Sequence, residues 1–186
     1  NLCASWATSN KIQDAPLQIL EVGTGSGCIA IALQQKMPAA IITAIDISAE
    51  AIEVATINAA KYNAPIQFKT FDFLNEANWP ELGSFDIIIS NPPYIADIEK
   101  ESMAGHVLNF EPHMALFVKD NDPLIFYSAI AKFGNKYLHK DGAVFVEINQ
   151  ALGIQTQGVF EQNNYTTLLK KDLFENDRMI VATKNK

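Results

Sequence analysis

The sequence has few cysteines, few basic residues and no long apolar run. Cys3 and Cys28 are its only cysteines, with no CxxC or Cys/His spacing, which indicates neither a disulfide framework nor a zinc site and favours a reducing, cytoplasmic compartment. No stretch approaches the ~20 apolar residues that a membrane-spanning helix needs, so no membrane association is expected. The formal net charge of −7 argues against stable nucleic-acid binding, because such binding depends on Lys and Arg.

The three histidines, His106, His113 and His139, do not indicate a metal site. The carboxylates near His106 and His113 lack the spacing of metal ligands, so no metal is expected. Cys28 falls in a predicted helix. We expect it to be a small core residue rather than a nucleophile.

Strand-like and helix-like segments alternate along the chain. Short β-branched apolar runs predict strands at 18–22, 41–46, 66–70, 85–90 and 143–148, and helical spacing predicts helices at 27–37, 49–62 and 123–138. Strands that are apolar on consecutive residues are expected where both faces of a sheet are covered. The pattern therefore predicts an α/β fold with a doubly wound, mostly parallel sheet.

The end of the chain follows a different pattern. A helix is predicted at 151–163, followed by strands at 165–170 and 179–183 that are separated by a short polar stretch. This spacing suits a C-terminal antiparallel hairpin at the sheet edge and brings the sheet to seven strands. Ser48 is the predicted N-cap of the second helix. Residues 91–122 have no clear period, and connections of that length are usually functional or disordered.

A glycine-rich loop, GTGSG, follows Glu21 and Val22 and joins the first strand to the first helix. Gly23 and Gly25 permit a tight turn and close approach of a ligand to the backbone, and Gly27 lets the helix begin against the strand. The loop N–H groups and the helix N-terminus attract an anion at the carboxyl edge of the sheet. The GxGxG spacing differs from the GxGxxG of dinucleotide enzymes. From the loop alone, a dinucleotide site and a turn without a ligand both remain open.

Acidic residues follow the second and third predicted strands. Asp46 ends the second strand, where a carboxylate can accept both hydroxyl groups of a ribose. Capping of the next helix is the alternative role. Asp72 and Phe73 follow the third strand, where the carboxylate can accept from an adenine amino group and the ring can pack against the base. An ordinary turn aspartate is the alternative there.

The tetrapeptide Asn91, Pro92, Pro93 and Tyr94 follows the fourth predicted strand. Asn91 precedes a proline and is restricted to extended conformations, and the prolines have fixed φ and no N–H. The side-chain oxygen of Asn91 and a proline carbonyl can therefore accept from one NH₂ group, while Tyr94 lies against a planar amide or base. Orienting a weakly nucleophilic nitrogen in this way favours its attack on a methyl donor. A simple strand stop is the alternative.

The sequence resembles the release-factor glutamine N5-methyltransferases of the HemK/PrmC type. The resemblance covers residues 17–183 and rests on EVGTGSGCIAIAL, the Asp46–Ser48 strand end, the Asp72–Phe73 turn, SNPPYI, NFEPHMAL, VEINQ and NDRMIVA. It implies the class I S-adenosylmethionine (SAM)-dependent methyltransferase fold. It also implies methyl transfer from SAM to the side-chain amide nitrogen of the Gly-Gly-Gln glutamine of peptide-chain release factors, with S-adenosylhomocysteine as the second product.

The resemblance also implies which residues form the site. Those expected to bind the cofactor are Glu21, Gly23, Thr24, Gly25, Ser26, Gly27, Asp46, Ile47, Asp72, Phe73 and Asn91. Those expected to bind the glutamine are Asn91, Pro92, Pro93, Tyr94, Phe110, Glu111 and Pro112. Asn91, Pro92 and Tyr94 are the expected catalytic residues. Glu147, at the end of the fifth strand, is expected to support the fold or the site indirectly.

The resemblance is to the catalytic part of the family. The N-terminal helical domain and the Arg-Pro-Glu-Thr-Glu stretch of its members are missing from residues 1–186, which we expect to form a methyltransferase catalytic domain. A nucleic-acid adenine or cytosine amino-methyltransferase that uses the same NPPY motif is the alternative function. It normally needs a basic face or a target-recognition region and has to extrude its base, and neither the acidic composition nor the chain length favours it. A non-catalytic dinucleotide-binding module would leave NPPY unexplained.

Overall fold

The computed structural model describes residues 3, 5–6, 16–93, 95–96, 117–118 and 122–185. Seven strands among them form one sheet: β1 Gln18–Val22, β2 Ile41–Asp46, β3 Gln67–Thr70, β4 Phe85–Ser90, β5 Leu138–Glu147, β6 Tyr165–Lys171 and β7 Asp177–Lys184. The α-helices with described bounds are α1 Cys28–Lys36, α2 Ala49–Lys61, α3 Ile125–Tyr137 and α4 Gly153–Gln162. Shorter elements are the 3₁₀ turns Glu76–Glu81 and Gln150–Leu152 and a two-residue strand pair, Ile95–Ala96 with Phe117–Val118.

The strand order of the sheet is β3-β2-β1-β4-β5-β7-β6. Strands β1 to β5 are parallel, and β7 runs antiparallel to both β5 and β6. The direction of winding reverses between β1 and β4, and ligands bind at that point in doubly wound folds. The predicted parallel sheet and its C-terminal antiparallel hairpin are both confirmed.

Two apolar clusters form the core, and consecutive strand residues contribute to different clusters. Ile19 and Ile87 belong to one cluster, whereas Leu20 and Ile88 belong to the other. Successive side chains of a strand point to opposite faces of the sheet, so runs of aliphatic residues are needed where both faces are covered. All four of these side chains are fully buried, in agreement with the interpretation of these runs.

The element bounds agree closely with the predictions, except in the fifth strand. It begins at Leu138 rather than at 143, because the pairing with β4 shifts register between Phe85 and Ile87 and accommodates the polar residues 139–142. The predicted cap of α2 is confirmed, since the side chain of Ser48 accepts from the Ala51 N–H at 3.1 Å. Most of the segment 91–122 lies outside the described residues. No helix in the described part of the chain is long and apolar enough to cross a membrane.

Candidate active site

Backbone hydrogen bonds tie the glycine-rich loop to the end of β2. The N–H groups of Gly23 and Thr24 both donate to the carbonyl of Ile45, at 2.9 and 3.0 Å. Gly23 and Gly25 have φ angles of 74° and 54°, in the left-handed region that glycine adopts most readily. The loop is therefore folded by its own backbone against the neighbouring strand.

Asp46 joins the same loop to the start of α2. One carboxylate oxygen, Oδ2, accepts from the Gly25 N–H at 2.8 Å, and the other, Oδ1, accepts from the Ser48 N–H at 3.0 Å. Asp46 is half-buried, whereas the next side chain, Ile47, is 53% exposed. The helix is capped by Ser48 and not by Asp46, so the alternative role of Asp46 as a helix cap does not hold. An ionised carboxylate has about four acceptor positions, so both oxygens retain capacity for a ligand.

Glu21 lies beneath the loop and is 1% exposed. Its Oε2 accepts from the Thr24 hydroxyl at 2.6 Å and from the Ala30 N–H at 3.2 Å. Burial raises the pKa of this carboxyl to about 7, opposed by the two hydrogen bonds and assisted by the negative charge of Asp46. Glu21 thus connects β1, the loop and the first turn of α1.

Of the two residues that were predicted to bind adenine, Asp72 lies in a turn and Phe73 lies in the core. Asp72 is exposed, and its Oδ1 accepts from the Leu74 N–H at 3.1 Å, which is the ordinary turn contact weighed as the alternative. Phe73 is 4% exposed, and its ring centroid lies 5.7 Å from that of Trp79 and 5.3 Å from that of Phe133. The expected packing of the Phe73 ring against a base therefore requires correction, because this ring packs in the core.

The tetrapeptide 91–94, called the acceptor motif after its predicted role, begins where β4 ends. Ser90 is buried, Asn91 is exposed, Pro92 is buried and Pro93 is half-buried. Tyr94, Phe110, Glu111 and Pro112 lie outside the described residues. Because Ser90 is paired with Val22, the polar side chain of Asn91 follows β4 beside the point where the glycine loop leaves β1. The edge can therefore hold a nucleoside-bearing ligand next to a group that orients an NH₂.

The first turn of α1 differs from the prediction. Cys28 is exposed rather than buried in the core, because it is the first residue of the helix, and its Sγ lies 3.1 Å from the Ser26 Oγ. The reading of the sequence also missed Asn58, whose side-chain N–H donates to the Ser26 carbonyl at 2.9 Å. That contact links residues 32 positions apart, and nothing in the local sequence signals it.

Solved structures resemble this chain in fold. A ribosomal protein L11 methylase from Lactobacillus delbrueckii subsp. bulgaricus matches 99% of this chain and 79% of its own, with a TM-score of 0.63 and 22% identity. A methyltransferase from Pyrococcus furiosus matches 98% of this chain and 81% of its own, with a TM-score of 0.66 and 15% identity. The fold is thus the class I SAM-dependent methyltransferase fold, as predicted.

Relatives with higher sequence identity include two bacterial proteins named release factor glutamine methyltransferase. The one from Flavobacterium psychrophilum is 45% identical over 165 residues, which is 88% of this chain and 57% of that protein. The one from Bacteroides thetaiotaomicron is 42% identical over 168 residues, which is 90% of this chain and 60% of that protein. The chain therefore spans somewhat more than half the length of these curated relatives.

A match to a protein-family model identifies the family of this chain. The methyltransferase small domain model aligns with residues 8–116, which is more than half of the chain. The aligned residues include the glycine loop, Asp46 and Asn91, which lie at the carboxyl edge of the sheet. The chain belongs to the methyltransferase small domain family.

Proposed function

We propose that this protein transfers a methyl group from SAM to the side-chain amide nitrogen of a glutamine, namely that of the Gly-Gly-Gln loop of peptide-chain release factors, in the cytoplasm. One observation carries the proposal. The pairing of Val22 with Ser90 brings the glycine loop and Asn91 to neighbouring strand ends. The names of the relatives support the choice of a release-factor glutamine over other amino groups.

The residues of the loop and of the β2 end fit the proposed cofactor. Asp46 has acceptor capacity for the two ribose hydroxyls, and the exposed Ile47 provides an apolar surface for the adenine ring. Asp72, also exposed, can accept from the adenine amino group. Gly23 and Gly25 leave the backbone open to the amino-acid end of the ligand, since a Cβ at either position would meet no atom within 4 Å. SAM supplies an electrophilic methyl group, and the role of the loop and of the β2 end is to hold the cofactor in place.

The acceptor motif orients the glutamine amide. An amide nitrogen is a weak nucleophile because its lone pair is delocalised, so a fixed alignment supplies much of the acceleration. The Asn91 side-chain oxygen and the Pro92 carbonyl accept the two amide hydrogens and stabilise the positive charge that develops on the nitrogen. The proton then leaves to solvent without a dedicated base. Tyr94, Pro93, Phe110, Glu111 and Pro112 are proposed to enclose the glutamine.

The proposal is tested by offering the protein three acceptors. Purified protein is incubated with radiolabelled SAM and, in separate reactions, with a bacterial release factor, with double-stranded DNA and with single-stranded DNA. The expected result is label in the release factor alone. Label in DNA would instead support the amino-methyltransferase of nucleic acids, and label in none of the three would contradict the proposal.

A further inference from the structure

The candidate site has two halves, a cofactor half formed by the glycine loop and the end of β2 and an acceptor half that follows β4, and Ser90 makes a side-chain contact between them. It is the last residue of β4, and its hydroxyl donates to the carbonyl of Val22, the last residue of β1, at 2.7 Å. Both residues are only 2% exposed, so water does not compete for this bond. The glycine loop begins one residue after Val22, and the acceptor motif begins one residue after Ser90.

The position of this bond matters because two of the four residues of the acceptor motif have no backbone N–H. Pro92 and Pro93 have no N–H, so neither can donate a ladder hydrogen bond beyond the end of β4. The backbone ladder pairs Ser90 with Val22 and Val146, and the hydroxyl of Ser90 adds a side-chain bond to β1 directly before the motif. A displacement of about 1 Å between reacting groups can cost roughly a hundredfold in rate, so a bond that holds β1 and β4 together beside the candidate site can affect the rate of transfer.

We propose that Ser90 is a positioning residue for methyl transfer, holding the acceptor motif in register with the cofactor loop through the Val22 carbonyl. This inference rests on the proposed function. Ser90 need touch neither cofactor nor glutamine, and it acts through Val22 and Asn91. Its removal should therefore change the rate of transfer and leave cofactor binding unchanged.

The chain offers a matched control in α4. Thr156 is 0% exposed, and its hydroxyl also donates to a backbone carbonyl, that of Leu152 at 2.9 Å. Ser90→Ala and Thr156→Val each delete one buried hydroxyl that is bonded to a carbonyl, but only Ser90 connects the two halves of the site. A third variant, Ser90→Cys, replaces the hydroxyl by a slightly larger thiol, which is a weaker donor.

The experiment measures kcat and KM for release-factor methylation, the affinity for S-adenosylhomocysteine by calorimetry, and the melting temperature of each variant. We expect Ser90→Ala to lower kcat by about tenfold, with cofactor affinity within about twofold of wild type. The kcat of Ser90→Cys should lie between those of wild type and Ser90→Ala. Thr156→Val should keep the wild-type kcat. The proposal is overturned if Ser90→Ala keeps kcat within twofold, if Thr156→Val loses as much, or if cofactor affinity falls in parallel with kcat. Absence of transfer by the wild-type protein would contradict the proposed function itself, and this inference with it.

Discussion

The two halves of the candidate site differ in how they are held. In the cofactor half, the loop backbone donates to Ile45, and the carboxylates of Glu21 and Asp46 accept from loop and helix groups. In the acceptor half, Asn91 is exposed at the end of β4. The cofactor half is thus assembled by the protein's own hydrogen bonds, whereas the acceptor half presents a polar side chain outward.

This difference suits a two-substrate enzyme. A small cofactor is bound best by groups that are already in place, since ordering them on binding would cost free energy. In the proposed reaction the glutamine belongs to a separate protein and enters from outside, which an exposed Asn91 permits. Substitutions in the two halves should therefore separate cofactor affinity from the rate of transfer.

Asn91→Ala should have the largest effect. It removes an acceptor that acts chiefly when the amide is aligned and charged, so kcat and kcat/KM should fall together. A loss on the order of 10²–10³-fold is expected, as for other preorganised polar groups, with the affinity for SAM nearly unchanged because the other cofactor-binding residues remain. Asn135→Ala, at an exposed asparagine of α3, is the control. Normal turnover in Asn91→Ala would remove this residue from the catalytic machinery.

Asp46→Ala should weaken cofactor binding, which is the function proposed for the other half of the site. Each charge-assisted hydrogen bond contributes about 1.5–3 kcal/mol, and two ribose hydroxyls are at stake, so the affinity for S-adenosylhomocysteine should fall by at least about a hundredfold. Glu53→Ala, which removes an exposed carboxylate of α2, should bind normally. Calorimetry provides the comparison. Equal affinities in Asp46→Ala and wild type would show that the ribose is held elsewhere.

Glu21→Gln should show how much free energy of unfolding is lost when the carboxylate buried under the loop is ionised. Its pKa rises from 4.5 to about 7 on folding, so between these values the folded state binds more protons than the unfolded state. The free energy of unfolding therefore falls as pH rises through this window. Relative to the neutral Gln variant, wild type should lose at most about 3 kcal/mol between roughly pH 4 and pH 8.

Urea denaturation of wild type and Glu21→Gln at several pH values checks this expectation. Groups that are common to both proteins cancel in the difference between the two curves. If the difference in unfolding free energy stays constant across the window, the pKa of Glu21 is the same in the folded and unfolded states, and burial does not raise it.

Gly27→Ala should have the smallest effect, and Gly83→Ala is its control. Both glycines have a left-handed φ, of 81° and 79°, so each alanine carries a similar backbone penalty of about 1–2 kcal/mol. A Cβ at Gly27 would also lie 3.1 Å from the Ala55 Cβ, whereas one at Gly83 would meet nothing within 4 Å. We expect Gly27→Ala to be about 1–2 kcal/mol less stable than Gly83→Ala in urea denaturation. Equal losses would show that α1 and α2 move apart easily.

Periodicity was enough to predict the central strands β1, β2 and β4, because most of their residues are apolar and lie between two covered faces. The Ser48 cap was also predictable, since a cap is a contact between neighbours in sequence. The start of β5 was not, because the polar residues 139–141 separate Leu138 from the apolar run and the pairing with β4 shifts register there.

The site was predictable in part for the same reason. The positions of Gly23, Asp46 and Asn91 follow from the rule that ligands bind at the carboxyl ends of parallel strands. The burial of Phe73 did not, because its ring is covered by Trp79 and by Phe133 of α3, 60 residues away. The bond from Ser90 to Val22 spans 68 residues, and such tertiary contacts leave no local pattern in a sequence.

The proposed function places the transferred methyl group on the glutamine of the Gly-Gly-Gln loop. A release factor whose loop glutamine is replaced by alanine tests this placement, by comparison of its labelling with that of the wild-type factor, using radiolabelled SAM and peptide mass spectrometry. We expect one methyl group on the glutamine side chain of the wild-type factor and none on the variant. Equal labelling of both factors would contradict it.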